Sequence, residues 1–108
     1  MSDSLDLEKL RASASQACGL LKALANPDRL ILLCQLSQGE HCVSDLEELL
    51  GIQQPTLSQQ LGVLRQENLV TTRREGKQIF YSLGSDDAMA VMQVLYLRFC
   101  GKNKGKKT

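Results

Sequence analysis

Apolar residues recur every three or four positions through the first quarter of the chain. Leu7, Leu10, Ala14, Ala17, Cys18, Leu21 and Leu24 share a stripe, and the spacing predicts a helix over residues 4–24. Asn26-Pro27 interrupts it. Asn caps helices well and Pro suits the first helical position, so a second helix starts there. Its body, RLILLCQL, is apolar nearly all round, which predicts a central, buried helix ending at Ser37-Gln38-Gly39. Ser44-Asp45-Leu46-Glu47 has the spacing of a capping box. It predicts a short third helix with Leu46, Leu49 and Leu50 inward and Gly51 as its stop. Gln53-Gln54-Pro55 opens a fourth helix, with Leu57, Leu61 and Leu64 inside. The tight connection at Gly51-Ile52 between these two makes a helix-turn-helix pattern.

Beyond Asn68 the period changes to two. LVTTRREGKQIFYSL predicts two strands around a turn at Glu75-Gly76. Ser85-Asp86 then caps a last helix over roughly residues 86–100. Met89, Val91, Met92, Val94, Leu95, Leu97 and Phe99 give that helix more apolar faces than one small core uses. We expect one face to lie against a second subunit. The expected fold is mainly α with a small β hairpin. Its order, four helices, two strands and a closing helix, is that of a winged helix-turn-helix. One domain spans residues 1–100, and residues 101–108 form a flexible basic tail.

A chain of 108 residues with 43% hydrophobic and 23% charged positions fits one soluble domain. No apolar run is long enough to cross a bilayer, and the first ten residues, with Asp3, Asp6 and Glu8, do not resemble a signal peptide. The expected compartment is the cytoplasm, without membrane association. The net charge of +1 hides a split, because four of the thirteen Lys and Arg residues fall in GKNKGKKT. The other nine face all twelve Asp and Glu residues, so residues 1–100 carry −3. Binding to a polyanion therefore needs positive charge concentrated locally. The tail reads as a solvated end or as a weak electrostatic aid to such a partner.

The stretch QQPTLSQQL is unusually rich in neutral hydrogen-bonding groups. With the leucines inward, Gln54, Thr56, Ser58, Gln59 and Gln60 lie on the outer face or its flanks. Such side chains read base edges without indiscriminate affinity for phosphate: Gln pairs with adenine, and Thr offers thymine a methyl group. Gly62 removes a side chain where the helix comes close to another surface. Arg73, Arg74 and Lys77, with Gln78, cluster at the hairpin tip and suit contacts to the DNA backbone or minor groove. A solvated helix face and a chance Arg-Arg turn are the bland readings of each half. Their joint order favours double-stranded DNA as the partner.

Cys18, Cys34, Cys42 and Cys100 form no C-x-x-C pair, and His41 is the single histidine. Neither a paired-ligand zinc site nor a disulfide framework is expected, nor any other cofactor. No general base stands near Cys34 or Cys100, so the chain does not read as an enzyme. Cys18 fits helix packing.

LLKALANPDRLILLCQL, QPTLSQQLGVLR and TTRREGKQIFYSL together resemble the ArsR/SmtB family of bacterial winged-helix repressors over residues 15–100, most closely its thiol-sensing BigR/SqrR/HlyU branch. The resemblance implies a homodimer, joined through the first and last helices, on an inverted-repeat operator. The family's arsenical site has the pattern E-L-C-V-C-D-L, where this chain has Glu40-His41-Cys42-Val43-Ser44-Asp45-Leu46. One soft ligand is lost. A metal or metalloid sensor using Cys42, with His41 either a further ligand or a surface residue, is the alternative. The zinc-type site of the last helix needs histidines that are absent here. The thiol branch pairs a cysteine in an RL-x-x-x-C context with one after an aromatic at the end of the last helix. Those positions are Cys34 and Cys100. The resemblance thus implies a dithiol linked by reactive sulfur species (persulfides), or by oxidants, with release of DNA. Arg98 and Lys102 would favour the Cys100 thiolate. Cys42 is left as an accessory thiol, a remnant of a metal site, or neutral.

Overall fold

The computed structural model describes residues 6–101. The expectations for residues 4 and 5 of the first helix and for residues 102–108 of the basic tail, Lys102 among them, lie outside the described residues. Helix α1 (Leu7–Leu24) follows Asp6, which stands in extended conformation as its cap and accepts a 3.0 Å bond from the Glu8 amide. Only Ala23 and Leu24 of α1 are buried. The first turns run out beyond the core, so Leu7, Leu10 and Cys18 are exposed. Cys18 therefore does not pack within the subunit.

Helix α2 (Pro27–Leu36) begins as expected, with Asn26 Oδ1 accepting from the Arg29 amide and Pro27 at its first position. Leu32, Leu33 and Leu36 are buried, but Ile31 is exposed, so the helix is covered on only part of its circumference. The third helix departs from expectation. Residues 41 and 42 form a short strand, β1 (His41–Cys42), and the chain turns directly into α3 (Val43–Leu50) with Cys42 at the cap position. The Ser44 capping box does not form, because the helix starts at Val43, directly after the paired residues 41 and 42, and Ser44 lies inside it. Leu46 fills the core and Leu50 is half-buried, whereas Leu49 points outward at 56% exposure. Gly51 ends α3 in the left-handed region, at φ 70°.

Helix α4 (Gln54–Gln66) buries Leu57, Leu61 and Leu64. Strands β2 (Val70–Glu75) and β3 (Gln78–Leu83) follow. Glu75 pairs with Gln78, so the turn residues are Gly76 and Lys77, one position later than predicted. Gly76 takes φ 64°, as a tight hairpin turn requires. The hairpin is not alone: β1 adds to β3, with His41 opposite Tyr81 and Cys42 opposite Phe80. The result is a three-stranded antiparallel sheet in the order β1-β3-β2. Two residues are too short a strand to announce themselves by alternation. Helix α5 (Asp86–Leu95) is capped by Ser85 Oγ, and the chain continues to Gly101 in a wider π-helical winding. The core lies where α2, α3 and α4 meet, with Ala88 and Met92 of α5 closing one side.

At Gly84 the hairpin returns against its own base. The Gly84 amide donates to the Leu69 carbonyl at 2.9 Å. A Cβ there would lie 2.5 Å from Thr71 Cγ2 and within 3.2 Å of the Thr71 backbone nitrogen. Gly84→Ala should cost about 1–3 kcal/mol of stability by overpacking. Urea unfolding measures it; an unchanged midpoint would mean that Thr71 simply rotates away.

Candidate nucleic-acid interface and thiol pair

At about 100° per residue, the buried stripe of α4 directs Ser58, Gln59, Gly62 and Gln66 away from the core. Gln54, Ser58 and Gln59 are exposed and Thr56 is half-buried on the flank. Gln60 differs. It is half-buried, and its Oε1 accepts a 2.8 Å bond from Arg29 Nη1. Gln60 therefore faces α2, not the outer face.

Arg29 was not singled out by the sequence pattern. Besides Gln60, its Nε donates to the Ala23 carbonyl at 2.6 Å and its Nη2 to the Lys22 carbonyl at 3.2 Å. The guanidinium thus ties together the last turn of α1, the start of α2 and the middle of α4. A cation at a helix C-terminus is favoured by the helix dipole. The available signal was the lone cation of a mostly apolar helix.

The wing also differs from a simple basic tip. Arg73 lies opposite Phe80, and Arg74 opposite Ile79, so the period of two sends these neighbouring arginines to opposite faces of the hairpin. Arg73 donates to both Glu40 oxygens, at 2.7 and 2.9 Å, and to Glu75 at 2.7 Å, with its guanidinium 4.9 Å from the Phe80 ring centre. The Arg73 hydrogen bonds hold the Glu40 carboxyl below its usual range. Arg73 is a brace between the wing and the segment before β1. Arg74 and Lys77 remain exposed, without an ion pair among the described residues, and Gln78 is exposed beside them.

All four cysteines are free thiols. Cys34, half-buried on α2, and Cys100, exposed in the π-helical winding, line one cavity of about 310 Å³ together with Leu30, Ile31, Met92 and Phe99. Burial pushes the Cys34 thiol up, and the charge of Cys100 pushes it further in the same direction. Both causes favour the neutral thiol at Cys34. Cys42 sits in the core at 5% exposure, with Sγ 3.3 Å from Ser44 Oγ. His41 is 3.8 Å from Asp45 and 3.3 Å from Gln35. Among the described residues, no three His, Cys, Asp or Glu side chains come together as a metal-binding group. No described helix is long and apolar enough to cross a membrane.

A polar helix presented on a three-helix base, with a sheet and wing behind it, defines a winged helix-turn-helix transcriptional regulator. Residues 26–72 match the family described as bacterial regulatory protein, arsR family. The chain is 52% identical to the biofilm growth-associated repressor of Agrobacterium fabrum over 96 residues, covering 89% of this chain and 82% of that one. It is 37% identical to the transcriptional activator HlyU of Vibrio cholerae, covering 93% of each. The structure of reduced HlyU from that organism superposes with a TM-score of 0.82 at 38% identity, over 86% of this chain and 98% of HlyU. The transcriptional repressor BigR of Xylella fastidiosa superposes at 0.80 with 48% identity, over 89% and 98% of the two chains. This protein belongs to the arsR family, and these relatives are regulators of transcription, not enzymes.

Proposed function

We propose that this protein is a cytoplasmic, homodimeric repressor that leaves its operator when persulfides or oxidants link Cys34 to Cys100. The observation that carries this reading is the shared cavity of the two thiols. It joins α2 to the end of the chain's last helix, and α2 is in turn bound to the reading helix α4 through Arg29 and Gln60. A link across the cavity pulls on both.

The chemistry balances without a bound cofactor. A Cys100 thiolate takes the outer sulfur of an organic persulfide and expels the organic thiolate, leaving Cys100–S–SH. Attack by the Cys34 thiolate on the inner sulfur forms a disulfide and releases hydrosulfide. If Cys34 has been persulfidated as well, the Cys100 persulfide attacks its inner sulfur, giving a trisulfide and again hydrosulfide. A peroxide oxidises one thiolate to a sulfenic acid; the other thiol then displaces water.

On DNA, Gln54, Thr56, Ser58 and Gln59 read the major groove, while Arg74, Lys77 and Gln78 hold the backbone or minor groove. Gln60 and Arg73, engaged within the fold, act as supports. The exposed Leu7, Leu10 and Leu21 of α1 and Val94 and Leu97 of the last helix support dimerisation through these two helices, which places two reading heads on an inverted repeat. The names of the BigR relatives support repression as the output. Cys42, buried beside a serine, supports no metal-sensing role.

The test uses reduced protein in anaerobic buffer, treated with an organic persulfide or with hydrogen peroxide. Intact and peptide masses are taken, and operator binding is followed in parallel. We expect linked Cys34 and Cys100 peptides, and loss of binding, with the persulfide. A plain disulfide with both reagents would make the protein a general redox switch. Absence of any link between these two cysteines would end the thiol reading.

A further inference from the structure

Gly62 is unexplained by the fold that contains it. It lies inside the thirteen-residue helix α4, where glycine is a poor helix former. A Cβ built there meets nothing within 4 Å, and the backbone is helical rather than left-handed. The contrast with Gly51, Gly76 and Gly84 is plain, since a turn or a close internal approach accounts for each. Gly19, inside α1, is the other helical glycine with open space around it. That helix carries the exposed apolar residues attributed above to a second subunit, so both open glycines lie on surfaces with an expected partner.

The surroundings of Gly62 point to the chemistry of its partner. Ser58, Gln59 and Gln66 share its outward face, with Arg65 on the flank, and all four are exposed. Arg65 has no ion pair among the described residues. Helix α4 contains no Asp or Glu, in a chain with twelve of them. The face is therefore neutral to positive, polar, and bare of side-chain bulk at its centre.

We infer that Gly62 is a close-approach position, where the wall of the DNA major groove lies directly against the α4 backbone. Its missing side chain sets how deeply Ser58 and Gln59 reach the base edges, and Arg65 meets a phosphate at the groove's rim. This inference rests on the DNA-binding reading above and adds a determinant to it. A methyl group at residue 62 would hold the helix away from the groove and lengthen every base contact, although it fills empty space in the free protein.

That opposition between stability and binding is the test. A duplex is selected from a randomised library with the reduced wild-type protein. Thermal unfolding and duplex affinity are then measured for wild type, Gly62→Ala and Gly62→Leu. We expect Gly62→Ala to raise the unfolding temperature by a few degrees and to weaken duplex binding at least tenfold. Gly62→Leu should weaken it more, at unchanged helix content and oligomeric state. Arg65→Gln should lower the slope of affinity against salt by about one. Alanine or leucine variants that bind as tightly as wild type would overturn the close-approach role and leave the DNA-binding reading intact. If wild type selects no duplex at all, that reading fails and takes this inference with it.

Discussion

Cys34→Ser is expected to hold its operator as wild type does and to ignore persulfide. Wild type should lose roughly 5- to 150-fold in affinity on treatment, the range that a coupling of about 1–3 kcal/mol produces. The variant should change less than twofold. The order of events follows from the two thiol environments. Cys34 is held neutral by burial and by the nearby charge of Cys100, whereas Cys100 is exposed. Cys100 therefore attacks the incoming persulfide first and Cys34 completes the link. The Cys34→Ser protein should stop at a persulfide on Cys100, one sulfur heavier, while Cys100→Ser should stay largely unmodified. Because the Cys34 pKa lies above its ordinary value, its thiolate fraction grows with pH to an unusually alkaline limit. Alkylation of Cys34 by iodoacetamide in the reduced protein should accelerate with pH and keep accelerating past 9.0, the ordinary value for a thiol. Normal release by Cys34→Ser would remove the dithiol mechanism. An alkylation rate at Cys34 that levels off below pH 9 would contradict the assigned order.

Arg29→Ala should be among the most damaging single changes outside the leucine core. The substitution removes three hydrogen bonds from a charged donor, at 2.6, 2.8 and 3.2 Å. It leaves the Ala23 carbonyl at the end of α1, a buried residue's backbone, and the half-buried Gln60 without these partners. Hydrogen bonds to charged groups are worth about 1.5–3 kcal/mol each. Discounting for the partly exposed Lys22 contact and for replacement by water, the expected net loss is about 2–3 kcal/mol, or roughly 10 °C or more in Tm for a domain of this size. Arg29→Lys keeps the charge but not the planar fork, so it should recover only part of the loss. Operator affinity should fall further than stability alone explains, since Gln60 fixes the rotation of α4. Thermal unfolding and duplex binding of both variants measure this. A loss below about 0.5 kcal/mol for Arg29→Ala would show that water replaces the guanidinium freely.

Much of the fold was legible in the sequence wherever a pattern was long. The stripes of α4 and the caps at Asn26 and Ser85 are local signals, and the structure follows them. So is the winged order of helices and strands. Short or non-local features were not legible. Strand β1 exists because residues 41 and 42 find Tyr81 and Phe80, nearly forty positions away, and that pairing overrode the Ser44 capping box. Leu49 looked equivalent to Leu46 and Leu50 in an apolar triplet. One helical turn has room for only part of such a triplet on its inner side.

The candidate site divides in the same way. The kinds of group present were determined by the sequence alone: neutral hydrogen-bonding side chains on α4, cations on the hairpin, and two cysteines in family-like contexts. Which of them remain available was decided only by tertiary structure. Gln60 and Arg73 look like their neighbours in sequence, yet one is held by Arg29 and the other by Glu40 and Glu75. Cys34 and Cys100 are sixty-six residues apart, and nothing in either segment brings them to one cavity. The reason is physical. Helical and strand periods are set within a few residues and can be read from them, whereas hydrogen-bond partners, burial and the effect of Cys100 on Cys34 depend on chain segments that meet only when the core closes.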